Sequence, residues 1–193
     1  MIKIILATSN KHKLEEINAI NTNKNIIFDV INKDFNPIEN GTNFQENALI
    51  KAKEASKITN TYCLADDSGL CVDALEGRPG IHSARYAQTQ QEKIEKLLNE
   101  LKGVPYDWRS AHFVCSMVLT DKEGKNLHTE TGKVFGYIDD EPKGTNGFGY
   151  DPIFFVPEYD KTMSELPEEI KNSISHRANA LKPMLKWIEG NLL

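Results

Sequence analysis

Leu64-Ala65-Asp66-Asp67-Ser68-Gly69-Leu70-Cys71-Val72 places two adjacent carboxylates and a small polar pair between short apolar runs. As the end of a buried strand, the stretch puts negative charge where the loops of an α/β sheet meet and where ligands commonly sit. Asp-Ser-Gly is equally ordinary turn chemistry, so the same residues also fit a plain hairpin turn. Adjacent carboxylates repel each other. They persist best when a hard cation such as Mg²⁺ binds oxygen there or when one of them stays protonated.

Upstream of this stretch the chain alternates strand and helix. Ile2 to Ala7 reads as a buried strand, and Thr8, Ser9 and Asn10 then supply N-cap-competent residues before a helix with Leu14, Ile17 and Ile20 on one face. Lys11, His12 and Lys13 stand beside that helix start, where backbone amides, helix dipole and cations together favour a phosphate. Polar caps flanked by lysines also open many solvated helices. Ile26 to Ile31 forms a second strand, and Pro37 to Gly41 then breaks the pattern, leaving Glu39 in a loop. Thr42 with Gln45 matches a capping box, and Phe44, Ala48, Ala52 and Ala55 recur at helical spacing through Ile58. Glu46 and Lys51 lie outside that apolar set and read by default as solvated. Tyr62 to Ala65 is then the strand leading into Asp66 and Asp67.

Downstream the order changes. Gly69 to Leu75 is apolar, Glu76 to Gly80 breaks it, and Ile81 to Tyr86 reads as a loop. Thr89 with Glu92 is a capping box opening a helix whose stripe is Ile94, Leu97, Leu98 and Leu101. Arg109 to Thr120 alternates, with Ala111, Phe113, Cys115, Met117 and Leu119 on one face, and Asp121 to Gly124 turns the chain into Asn126 to Tyr137, a long antiparallel hairpin. Strand and helix alternation followed by strand-to-strand connection predicts a mixed α/β fold: an elongated mixed central sheet flanked by helices, two lobes within one domain over 1–193, and a central cleft.

The last third adds Gly144 to Pro152, an irregular loop with three glycines, the aromatics Phe148 and Tyr150, and the carboxylate Asp151. Glycines let a backbone approach a ligand and aromatics offer stacking faces, although a glycine-rich turn with two core aromatics fits as well. Glu168 to Ile174 reads as a short helix, and Ser175 caps a final helix bearing His176 and Arg177 at its start, buried through Ala178, Leu181, Leu185 and Ile188. Pro183 is predicted to kink or split that helix. With Lys171, this second cationic helix start suits a polyphosphate.

Composition narrows the partners. The 193 residues suffice for one large domain or two joined lobes. A net charge of −5 argues against a broad basic nucleic-acid footprint. Cys63, Cys71 and Cys115 lack paired or metal-ligand spacing, which suits a reducing cytoplasm. Met1 to Leu6 is too short an apolar run for a signal peptide, and no stretch approaches a membrane span.

Taken together, ATSNKHK (7–13), FQENALIKA (44–52), ADDSGL (65–70) followed by GRPGIHSARYA (77–87), GTNGFGYDPIF (144–154) and KNSISHRANAL (171–181) resemble one family. It is the non-canonical purine nucleoside triphosphate pyrophosphatases, also called inosine triphosphate pyrophosphatases, and the motifs stand in the family's order over nearly the whole chain. Ser9 stands where many members carry glycine, and Pro183 interrupts the final helix. The resemblance implies a cytoplasmic homodimer that hydrolyses inosine, deoxyinosine and xanthosine triphosphates, with Mg²⁺, to monophosphate and pyrophosphate. It further implies that Thr8, Ser9, Asn10, Lys11, His12 and Lys13 bind the triphosphate with Lys51. Ser68, Phe148, Gly149, Tyr150, Asp151, Lys171, His176 and Arg177 complete the nucleotide site. Asp67 is implied as general base and metal ligand, with Glu39 as the second carboxylate on magnesium. Asp66 either shares the metal or orients Asp67. An acceptor such as Asp151 with a donor such as Arg177 would favour the 6-oxo, N1-protonated bases over adenine, and a snug wall near C2, from Phe148 or a neighbour, would disfavour guanine. The competing classes are a Maf-type nucleotide pyrophosphatase, against which KNSISHR argues, and a nucleotide-binding module without turnover.

Overall fold

A computed structural model gives the architecture and describes residues 1–31 and 35–193. Seven strands, β1 (Ile2–Leu6), β2 (Ile26–Val30), β3 (Cys63–Val72), β4 (Ser110–Thr120), β5 (Asn126–Ile138), β6 (Phe154–Val156) and β7 (Lys161–Thr162), pair in the order β2-β1-β3-β4-β5-β6-β7. Among the described residues five α-helices accompany them: α1 (Lys11–Ile20), α2 (Phe44–Thr59), α3 (Gln90–Glu100), α4 (Glu168–Ile174) and α5 (His176–Leu192). The sheet is mixed, as predicted: β1 runs parallel to β2 and β3, and β6 pairs antiparallel with β5 and β7.

The chain divides into two compact units. The first comprises Met1–Asp67, Cys115–Gly132 and His176–Leu193. Its core has two parts. Ile4, Leu6, Ile17, Leu64, Cys115, Met117, Leu181 and Ile188 pack with α1 and α5, whereas Ile5, Ala7, Ala48, Ala52, Cys63, Ala65 and Val118 pack with α2. Successive side chains of a strand point to opposite faces, so these alternating memberships mean that β3 is covered on both sides here, by α1 and α5 on one face and α2 on the other. The alternation expected along β4 accordingly gives way to burial of both faces, with Val114, Ser116, Val118 and Thr120 buried too.

The second unit comprises Ser68–Val114 and Lys133–Ser175. Its core joins Leu70, Val72, Ala111, Phe113 and Val134 to the α3 stripe Ile94, Leu97 and Leu101 and to Tyr150, Phe154 and Met163. The Thr89–Glu92 capping box is present as expected, each side chain satisfying the other's backbone N–H. Thr89→Ala should remove about 1 kcal/mol, lowering Tm by roughly 2–4 °C in a thermal melt; an unchanged melt would show that α3 is held by its apolar stripe alone.

Several local expectations are corrected. Asp66, Asp67, Ser68 and Gly69 form neither a strand end nor a turn, because β3 runs through them unbroken. The cap of α2 is Asn43, whose side chain accepts from the Glu46 N–H, while Glu46 folds back to accept from the Thr42 N–H and hydroxyl. The cap therefore falls one residue later than Thr42, and the expected Thr42–Gln45 box is replaced by Asn43 on the Glu46 N–H with Glu46 reaching back to Thr42. Residues Gly80–Arg85 make a 3-10 helix rather than a loop. Pro183 lies inside α5 without splitting it, since the buried face of Ala178, Leu181, Leu185 and Ile188 holds both sides of it in one helix.

Candidate active site

Strand β1 last pairs with β3 at Leu6 opposite Leu64, so β3 continues beyond its parallel neighbour. Asp66 and Asp67 lie on this extension, next in line to the loop Thr8–Asn10 that follows β1. Carboxyl ends of parallel strands are where α/β sheets bind ligands.

The two carboxylates serve opposite faces of β3. Asp66 faces α1 and α5: its Oδ1 accepts from Lys13 Nζ at 2.9 Å and its Oδ2 from Arg177 Nη2 at 3.1 Å. The other arm of the Arg177 guanidinium donates to Glu16. Burial disfavours ionising Asp66, yet the Lys13 ammonium and the Arg177 guanidinium outweigh it and hold the carboxyl well below the usual carboxylate range. Asp67 faces α2: its Oδ2 accepts from Asn47 Nδ2 at 3.1 Å, and its Oδ1 is 3.5 Å from Lys51 Nζ. Lys51 also donates to Glu39 at 3.3 Å. Here burial, joined by repulsion from the Glu39 and Asp66 carboxylates, outweighs Lys51 and Asn47 and pushes the Asp67 carboxyl up. Burial likewise disfavours the Lys51 ammonium, but the surrounding carboxylates Asp67, Asp66 and Glu39 more than compensate and raise it. Mutual repulsion between the paired aspartates is thus answered by cations on both faces, with Lys51 acting on both carboxylates.

Lys51 is 8 % exposed and not the solvated residue its place outside the apolar set suggested. Asn47 was not singled out by sequence, although it precedes Lys51 by four residues and so shares its helix face. Glu16 was also missed, three residues after Lys13 on α1.

The remaining residues of the first helix start fall into two groups. Asn10 caps α1 by accepting from the His12 N–H at 3.0 Å, and Thr8 Oγ1 accepts from the Asn10 N–H at 3.1 Å. Ser9, Lys11 and His12 are exposed, and the His12 ring turns to Glu15. His176 is the half-buried first residue of α5, beside Arg177. The Arg177 guanidinium, read as a donor to the base, is 2 % exposed and engaged by Asp66 and Glu16.

In the second unit, Asp151 Oδ2 accepts from Lys171 Nζ at 2.8 Å and from the Phe148 N–H at 3.0 Å. Lys171 also lies 4.9 Å from the Phe148 ring centroid. Gly147 adopts φ +79°, and a Cβ there would overlap the Asp151 carboxylate and come within 2.9 Å of Lys171 Nζ, so the loop closes only around glycine. The two aromatics separate: Phe148 is 39 % exposed, whereas Tyr150 is buried and its hydroxyl donates to the Ser83 carbonyl at 2.9 Å. Gly149 and Ser68 are half-buried.

Among the described residues no group of three or more His, Cys, Asp or Glu side chains is arranged to hold a metal alone. The carboxylates of Glu39 and Asp67 both approach the Lys51 ammonium, at 3.3 and 3.5 Å. Mg²⁺ takes one or two carboxylates and completes its shell with water and substrate phosphates.

A model of the Ham1 family matches residues 4–187. The dITP/XTP pyrophosphatase of Halalkalibacterium halodurans is 47% identical over 192 residues, covering 96% of this chain and 98% of that one. The dITP/XTP pyrophosphatase of Geobacter sulfurreducens is 47% identical over 198 residues, covering 97% and 98%. Among solved structures, a HAM1 protein from Coxiella burnetii superposes with a TM-score of 0.90 at 41% identity, covering 98% of this chain and 100% of that one.

Proposed function

The chain belongs to the Ham1 family, and on that premise we propose that it is a nucleoside triphosphate pyrophosphohydrolase that converts dITP, XTP and ITP to the monophosphate and pyrophosphate, as a homodimer in the cytoplasm. The observation that carries the proposal is the placement of Asp67, a buried carboxylate held by Asn47 at 3.1 Å and lying 3.5 Å from the Lys51 ammonium on the β3 extension beside the Thr8–Asn10 loop. A carboxylate fixed beside cations that can take phosphate oxygens is placed to accept a proton from an attacking water.

On this assignment Asp67 takes the proton of the attacking water. The amide edge of Asn47 keeps the carboxylate oriented, and Lys51 and Lys13 present positive charge to the phosphate oxygens. The loop from Thr8 to Asn10 offers hydroxyls and backbone amides to the triphosphate. Glu39 and Asp67 would hold Mg²⁺, which when bound supplies charge neutralisation on the phosphate oxygens.

Base choice is assigned to Asp151 and Lys171. Their oxygen and nitrogen stand 2.8 Å apart, an acceptor beside a donor, which complements the N1–H and 6-oxo groups of hypoxanthine and xanthine. Phe148 adds an exposed aromatic face for stacking. Adenine reverses both groups and would leave them unpaired at roughly 1–3 kcal/mol each, so kcat/KM for ATP should be lower than for dITP by about 100-fold or more.

The test is pyrophosphate release from dITP, XTP, GTP and ATP, each with Mg²⁺ and with EDTA. Cleavage of dITP and XTP that EDTA abolishes, with ATP poor, is expected. Equal rates on all four would point to a broader or different nucleotide pyrophosphatase, and binding of dITP without release would point to a sensing module.

A further inference from the structure

Both oxygens of Asp66 are occupied by cations, and its side chain is 5% exposed. Those cations come from different elements: Lys13 from the first turn of α1 and Arg177 from the start of α5. Glu16 then ties Arg177 back to α1, one turn beyond Lys13. Lys13, Asp66, Arg177 and Glu16 therefore form a closed ring through α1, β3 and α5. The Glu39, Lys51, Asn47 and Asp67 cluster lies on the other face of β3.

We propose that Asp66 is a positioning residue and not a metal ligand: with Glu16 it clamps the Lys13 ammonium and the Arg177 guanidinium in place before a triphosphate arrives. This rests on the hydrolase assignment above. A lysine ammonium sits on a flexible four-carbon stem and has three donors. Asp66 takes one donor and removes the freedom of the stem, leaving the others for phosphate oxygens. The charge is then fixed ahead of the reaction instead of being organised during it. Glu16 holds the other arm of Arg177, which steadies the guanidinium against Asp66.

A clamp and a metal ligand fail differently. Asp66→Asn leaves the Lys13 charge present but unanchored, and less neutralised than before. Ground-state attraction for the triphosphate is kept while alignment is lost, so kcat for dITP should fall on the order of 100-fold, KM should not rise, and the Mg²⁺ concentration for half-maximal rate should stay the same. Glu16→Gln retains an acceptor for Arg177 without its charge and should give the same pattern at about 10-fold.

Amide hydrogen exchange in EDTA, without nucleotide, reads the clamp independently of turnover. Faster exchange is expected over residues 10–16 and at the start of α5 in both variants, with α2 unchanged. Unchanged protection of α1, or a raised Mg²⁺ requirement with kcat recovered at saturating Mg²⁺, overturns the proposal. If Asp66→Asn does not fold, Glu16→Gln carries the same readouts. Should the wild-type protein release no pyrophosphate from dITP or XTP, the hydrolase assignment falls, and the exchange measurement still decides whether Asp66 anchors Lys13.

Discussion

Asp67→Asn is expected to lower kcat for dITP on the order of 10³-fold, within the contribution of a positioned general base. The amide is nearly isosteric and can still meet Asn47 and Lys51, but it cannot accept a proton from water. Binding should survive the change. Inorganic tripolyphosphate, followed by calorimetry, should bind the variant within a few-fold of the wild-type affinity. Stability gives a second check. Burial raises the Asp67 carboxyl above its unfolded value, so whatever stability its protonated form contributes is present at low pH and lost as pH rises through the folded value. At neutral pH the ionised group therefore opposes folding, and an amide removes that opposition. Tm in EDTA at neutral pH should hold or rise in the variant. Turnover within tenfold of wild type would remove Asp67 from the chemistry; a collapse of the melt would mean that the carboxylate is structural.

Gly132→Ala should be the most damaging small substitution in the first unit. Gly132 lies in β5 where α5 begins, and a Cβ there would overlap the His176 carbonyl oxygen and the Ala180 amide nitrogen and approach the Asn179 carbonyl carbon to 2.7 Å. These are backbone atoms of a helix and cannot swing aside as a side chain would. The helix must shift, and Arg177 sits in its first turn. Overpacking of this kind removes about 3 kcal/mol, a fall in Tm of roughly 6–12 °C at this chain length. Because the displaced turn carries Arg177, kcat should fall as well even below the melting temperature. A variant with wild-type Tm would show that α5 has slack that its contact with β5 does not suggest.

How much of this was legible depended on whether local chemistry and tertiary contact agreed. The stripe of α3 and its Thr89–Glu92 box were readable because the cap, the period and the buried face all specify the same helix. The α1 start was readable for the same reason, with Asn10 capping as its residue type suggests. The aspartate pair was not readable as strand. Asp-Ser-Gly has turn chemistry, and only the opposed cations Lys13, Arg177 and Lys51, brought in from three helices, make an extended backbone through two carboxylates stable. Lys51 was misplaced on the surface because its neighbours within α2 say nothing of the Glu39 loop and β3 that cover it. Pro183 does not split α5, since a propensity of a few kcal/mol yields to a helix face buried along its length. Position in sequence also hid the partition of the aromatics in the glycine loop, where Tyr150 went to the core and Phe148 to the surface.

Because neighbouring side chains of β3 leave on opposite sides, residues 66 and 67 have different direct partners although one peptide bond joins them. Asp66 meets Lys13 and Arg177 directly, whereas Asp67 meets Asn47 and Lys51. A substitution at Glu16 or Arg177 therefore alters the direct contacts of one carboxylate and leaves those of the other in place. Each set of contacts can thus be inherited and altered on its own.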